Sequence, residues 1–128
     1  MRENIQEAES YFALPYSVAY AEDIMFIYDR LTHAADAMKD DDIAFSRFLD
    51  LRAVDLLTDN YDGGDAAWVT GDFTGNLNAQ IGSYETYDDA LYGVKSFFSL
   101  SLLQRDIEKS EELAASIGDI QAIEDALP

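Results

Sequence analysis

The apolar pattern of this chain changes period part-way along, and that change constrains the fold more than any other feature. Before residue 60 apolar residues recur at helical spacing, and from Leu77 they alternate with polar ones. Ser17, just after Pro15, is the expected N-cap of a first helix carrying Val18, Ile24, Ile27, Tyr28 and Leu31 and running to about Met38. Lys39 to Asp42 is a charged break whose aspartates can cap a second helix, Ile43 to Asp59, with Phe45, Phe48, Leu49, Leu51, Leu56 and Leu57 crowding its apolar side. Two amphipathic helices joined by so short a link are expected to pack antiparallel.

Beyond them the texture is of turns and strands. Asn60 to Gly64 reads as a turn, Ala67 to Thr70 as a short strand and Gly71 to Asn76 as another turn. Leu77, Ala79 and Ile81 mark a half-buried strand. Val94 to Leu103 fits helix or strand by pattern, and its two aromatics after Gly93 favour strand. Arg105 to Ile117 reads as a charged helix stopped by Gly118, with a last helix from Asp119 to Leu127. Residues 1–14 read as a polar helix or lead-in. The expected class is α+β, in one domain or sub-domain over 1–128: a helical pair (15–62), a small β-rich core segment (66–104) and C-terminal helices (105–128).

Charge narrows the range of partners. Acids outnumber bases 26 to 8, for a net charge of −18, and there are only three lysines. Nucleic-acid binding needs clustered Lys and Arg, so it is not expected. The balance fits a solvated surface of halophilic type, or a surface for a basic partner. No apolar run is long enough to span a membrane, and the acidic N-terminus is unlike a secretory signal. With no cysteine there is no disulfide frame and no thiolate metal site, and a cytoplasmic location is the simplest expectation.

Most catalytic chemistries lack their residues here. His33 is the sole histidine, and a metalloprotease zinc site needs two, one helical turn apart, so no catalytic or metal-binding residue is assigned. There is no nucleophile elbow and no phosphate-cradling glycine loop. Asp40-Asp41-Asp42 reads as a capping loop. Asp59, Asp62 and Asp65 surround Gly63-Gly64 but miss the calcium-loop pattern, because Tyr61 and Gly63 fall where oxygen ligands belong. The group Glu85, Asp88 and Asp89, interleaved with Tyr84, Tyr87 and Tyr92, follows a strand end. Carboxylates among phenols there can grip a peptide amine, or form a polar turn with packed rings.

Two dense motifs carry a family resemblance. The first is F-L-D-L-R-A-V-D-L-L-T-D-N-Y, Phe48 to Tyr61, followed by D-A-A-W at Asp65 to Trp68; the second is I-G-S-Y-E-T-Y-D-D-A-L-Y-G, Ile81 to Gly93. In order and content they resemble the dipeptidyl-peptidase III family of zinc metallopeptidases, its bacterial branch above all, over roughly Tyr11 to Pro128. That resemblance implies a two-lobed exopeptidase that releases dipeptides, with substrate lying between lobes against a β-core. By position it implies that Glu85, Tyr87 and Asn78 bind substrate, with Gln80 on the same strand. Zinc is expected in a full-length relative and no cofactor in this chain, since the H-E-x-x-G-H helix is absent from it. The partners implied are a peptide in the full-length setting and the remaining lobe, or self-association. The alternative expectation is a free-standing acidic protein-interaction module without catalysis.

Overall fold

A computed structural model describes residues 14–90 and 93–127. In chain order these form α1 (Tyr16–Ala19), α2 (Ala21–Met38), α3 (Ile43–Thr58), α4 (Asp62–Thr70), β1 (Leu77–Asp89), β2 (Gly93–Gln104) and α5 (Ile107–Asp125). The class is α+β, as the two apolar periods require. Tyr92, residues 1–13 and Pro128 lie outside the described residues, so the expectations that fall on them do too.

The core is the seam between α2 and α3. Phe45, Phe48, Leu49, Ala53 and Leu56 are buried along one stripe of α3, against Ile24, Leu31 and Ala35 of α2. Ala35 and Ala53 are fully buried, and their small side chains let the helices approach closely. Ser46 Oγ donates to the Ala35 carbonyl at 2.7 Å, satisfying a buried hydroxyl across the seam. Each Leu, Ile or Phe side chain sealed there stabilises the fold by about 1.5–3 kcal/mol.

Asp42 begins α3 as the aspartate run predicts: it accepts from Phe45 N at 2.9 Å and from Gly75 N at 2.8 Å, tying the cap to the turn before β1. Asp59 ends the helix in the left-handed conformation (φ 54), which short Asp side chains tolerate. Its carboxylate takes the Ser17 N–H at 3.1 Å and the Ser17 hydroxyl. Ser17 is therefore not the N-cap expected of it. Pro15 holds that position, and Ser17 sits inside α1, donating to the end of α3. The first helix is also not continuous: it breaks at Tyr20 (φ −120, ψ 33) between α1 and α2. Tyr16, Tyr20 and Phe98 pack ring to ring, which pins α1 against β2.

Two further expectations are corrected. Asp62 to Thr70 is one helix, so Asn60–Gly64 is not simply a turn and Ala67–Thr70 is not a strand. Asp62 and Asp65 in the first turn suit the positive helix end, and side-chain bonds to α3 outweigh the poor helix propensity of Gly63, Gly64, Val69 and Thr70. At the C-terminus α5 runs straight through Gly118, so one helix replaces the expected two. A mid-helix glycine costs about 1 kcal/mol, and Gly118 does not take the left-handed conformation by which a glycine ends a helix.

β1 and β2 make one antiparallel ribbon, Leu77 opposite Gln104 to Gly82 opposite Ser99, then Glu85 opposite Phe97 to Asp89 opposite Gly93. Arg105 N closes its base on the Asn76 carbonyl at 2.6 Å. Ala79 is buried against the helical pair, and Leu77 and Ile81 pack beside it. Their partners on β2 overhang the core: Leu100 and Leu102, opposite Ile81 and Ala79, are 67% and 68% exposed. Among the described elements α5 packs against none, and its stripe of Leu113, Ile117, Ile120 and Ile123 stands in solvent.

Candidate functional site

An open cleft of about 220 Å³ lies where α3, α4 and β1 meet, lined by Phe48, Arg52, Asp65, Trp68, Val69, Gln80 and Tyr84. Helical spacing explains the contributions of the helices. Phe48 and Arg52 are one turn apart on α3, and Asp65, Trp68 and Val69 share one face of α4. From β1 come Gln80 and Tyr84. Trp68 Nε1 donates to Asn78 Oδ1 at 2.9 Å, so the indole orients the Asn78 amide with its N–H groups turned away from the ring.

Arg52 organises the cleft floor although it is 2% exposed. Its guanidinium lies against the rings of Tyr61, Tyr84 and Phe48, at 5.0, 5.4 and 5.5 Å from their centroids. One terminal nitrogen donates to the Tyr84 hydroxyl and the other to Asp65 Oδ1, and the Tyr84 hydroxyl in turn donates to that same oxygen. The three groups form a closed cycle. Behind it Asp55 lies 3.7 Å from Arg52 and accepts from Gly64 N at 2.9 Å. Arg52 Nε is buried with no hydrogen-bond partner among the described residues.

The protonation equilibria follow this wiring. Burial pushes the Asp65 carboxyl up, but hydrogen bonds from Arg52 and Tyr84 outweigh it and hold the group below the ordinary carboxylate range. Burial and the hydrogen bond to Asp65 push the Tyr84 phenol up to about 12. Burial raises Asp55, with Arg52 and the Gly64 N–H pulling the other way. Asp65 is therefore ionised and Tyr84 neutral at physiological pH, as the cycle requires.

Asn78, Glu85 and Tyr87 all lie on β1, and one irregularity decides how they relate. Between Gly82 and Glu85 the chain takes three steps on β1 against two on β2, which inserts one extra residue at Ser83–Tyr84. Because side chains alternate, an extra residue exchanges the faces. Asn78, Gln80 and Gly82 thus share a face with Glu85 and Tyr87, opposite Leu103, Ser101, Ser99, Phe97 and Lys95. Tyr87 packs edge-on to Phe97 at 5.8 Å, and its hydroxyl donates to Glu85 Oε2 at 3.2 Å. Asn78 sits roughly 20 Å away along the strand, about the length of an extended peptide of six residues. Asp89 joins the Glu85 face at the strand end, whereas Asp88 alternates to the other.

The remaining candidates are dispersed. His33 is exposed on α2, with Nδ1 2.7 Å from the Asp29 carbonyl. Asp59 binds Ser17, Asp65 binds Arg52, and no group of three or more His, Asp or Glu among the described residues could hold a metal ion. Arg52 and Trp68, present in the motifs, and Tyr84, noted among the phenols near Glu85, were not assigned to a site from the sequence. The available signal was an arginine inside the apolar stripe of α3, one turn beyond Phe48. No described helix is long and apolar enough to cross a membrane.

No known family profile matches the chain. Among solved structures, the whole chain is similar to a dipeptidyl-peptidase III from Corallococcus sp. strain EGB, with TM-score 0.69 and 26% identity, and it spans 26% of that protein. Among curated proteins it is 28% identical over 117 residues to Nudix hydrolase 3 of Arabidopsis thaliana, a match that covers 91% of this chain and 15% of that one. Both are hydrolases, and in both the similar segment is a minor part of the protein. The fold is thus that of one segment of a dipeptidyl-peptidase III, and the similarity runs the full length of the chain.

Proposed function

We propose that this chain forms part of the substrate-holding face of a dipeptidyl-peptidase III-like zinc peptidase, orienting a peptide without cleaving it alone. The observation that carries the reading is the common face of Asn78, Glu85 and Tyr87 on a ribbon whose fold matches that peptidase along the whole chain. A peptide lying along β1 would find an amide at one end and a carboxylate beside a phenol at the other. Glu85 would accept the N-terminal ammonium, with Tyr87 fixing the carboxylate through its hydroxyl. Asn78, held by Trp68, would offer amide N–H groups to peptide carbonyls. In a complete peptidase of this kind, residues outside this chain would hold the zinc that activates water for hydrolysis.

The overhanging apolar side of β2 and the bare stripe of α5 support the companion proposal that further polypeptide covers them, the remaining lobe of such a peptidase or a second copy. The same surface also favours the other reading, an acidic interaction module. Amide chemical-shift mapping with a free-amine hexapeptide, long enough to reach from Glu85 to Asn78, separates the two. Shifts centred on Asn78, Gln80, Trp68, Glu85 and Tyr87 are expected. A saturating peptide that moves only β2 and α5 resonances, or none, would refute the peptide-holding role.

A further inference from the structure

Resting on that reading of the face, we propose that Arg52, Asp65 and Tyr84 are positioning residues for it: their cycle seats the bulge that turns Glu85 and Tyr87 toward Asn78. In a strand of strict period two, residues 85 and 87 would fall with Ala79 and Ile81, on the side that packs against the helical pair. The single extra residue at Ser83–Tyr84 reverses this, so the bulge must be kept in place against the uninterrupted ladder, which would make one more cross-strand pair.

Every contact of Tyr84 opposes that slip. Its hydroxyl is bonded to Arg52 and to Asp65, hence to both α3 and α4. Its ring packs against Tyr61 at 5.8 Å, over the Arg52 guanidinium. Arg52 itself cannot yield, being buried in the core stripe among three rings and backed by Asp55. On the strand, Gly82 makes room for the closure: a Cβ there would meet the Tyr84 ring at 2.6 Å and the Tyr61 ring at 2.8 Å. In an unbulged ribbon Tyr84 would pair opposite Phe97 and Glu85 opposite Ser96.

Two variants of the full chain test the clamp. Tyr84→Phe removes the hydroxyl and adds no atoms, and Gly82→Ala pushes the two rings off the bulge. Cross-strand backbone NOEs read the register directly, and hexapeptide affinity reads its consequence. Both variants should lose the Glu85–Phe97 pairing and the Tyr87–Phe97 ring contact, gain Glu85–Ser96 pairing, and keep the ladder from Leu77 to Ile81. Peptide affinity should fall on the order of tenfold. If Tyr84→Phe retains the Glu85–Phe97 pairing, the clamp does not set the register and the inference is wrong. A native protein that binds no peptide overturns the reading of the face instead, while the NOEs still decide the clamp. Should Gly82→Ala fail to fold, the register of Tyr84→Phe decides by itself.

Discussion

Adding one methyl group at Gly63 and one at Gly64 should shift stability in opposite directions, although the two residues are neighbours in the first turn of α4. At Gly63 a Cβ would lie 3.5 Å from Asp55 Oδ1 and 3.7 Å from Leu51 Cδ2, which is ordinary van der Waals contact. Gly63→Ala should therefore stabilise by about 0.5–1 kcal/mol, through the entropy the glycine no longer loses on folding. At Gly64 the Cβ would lie 2.1 Å from Asp55 Oδ2 and 3.0 Å from Arg52 Nε. The carboxylate must move by more than an ångström or so, giving up the Gly64 N–H bond and its place beside Arg52. Disrupting a buried pair of this kind costs about 3–5 kcal/mol, and the helix gain offsets about 1 of it. The net loss of about 2–4 kcal/mol corresponds to a fall in Tm of roughly 8–15 °C for a domain of this size. Urea unfolding followed by circular dichroism, in salt high enough to fold all three proteins, measures both changes. Equal effects at the two sites, or a Gly64→Ala protein as stable as the parent, would mean that Asp55 and Arg52 are not packed against α4 as described.

Tyr84 gives a pH dependence of definite sign. Its folded pKa of about 12 lies above the ordinary value of 10.0, so its contribution to stability is present below pH 10 and is lost as pH rises through about 12. The urea midpoint should drop across that window, and drop less in Tyr84→Phe; Tyr61, raised by burial, leaves a residual slope. With a net charge of −18, stability should climb as salt is raised from about 0.05 M to about 1 M, and a flat response would contradict self-repulsion as a destabilising force. Trp68→Phe keeps a ring in the cleft but removes the donor to Asn78. It should change the melting temperature little and the Asn78 side-chain amide resonances strongly. Unmoved amide resonances would show that the indole does not orient Asn78.

What could be read from the sequence was whatever repeats with a period. The α3 stripe from Phe45 to Leu56 and the alternation of Leu77, Ala79 and Ile81 are set by local pattern, and the helical pair and first strand follow from them. α4 was not legible, because its residues favour turn and strand by propensity and are held helical by Asp55 and Arg52, nine and thirteen residues upstream of Gly64 and Asp65. Gly82 was the only local sign of the bulge, and a glycine in a strand marks a bulge without saying which partner holds it. Of the site, Glu85 and Tyr87 came from a motif and Asn78 from its place on the strand before it, but their common face depends on a register shift that no motif displays. Gly118 misled because a glycine late in a charged helix looks like a stop, whereas it stops a helix only by turning left-handed itself, and here it stays helical.

The most direct measurement is a fluorescence titration of Trp68, the sole tryptophan, which lines the cleft and touches Asn78. Two extended hexapeptides should be compared, identical except that one carries an N-terminal acetyl group. Glu85 and Tyr87 lie near the surface, where an exposed ion pair contributes up to about 1 kcal/mol, so the free amine should bind about fivefold more tightly. That preference should vanish in Glu85→Ala. Equal affinity for the two peptides, or a preference that survives Glu85→Ala, would contradict a face that holds a peptide by its N-terminus.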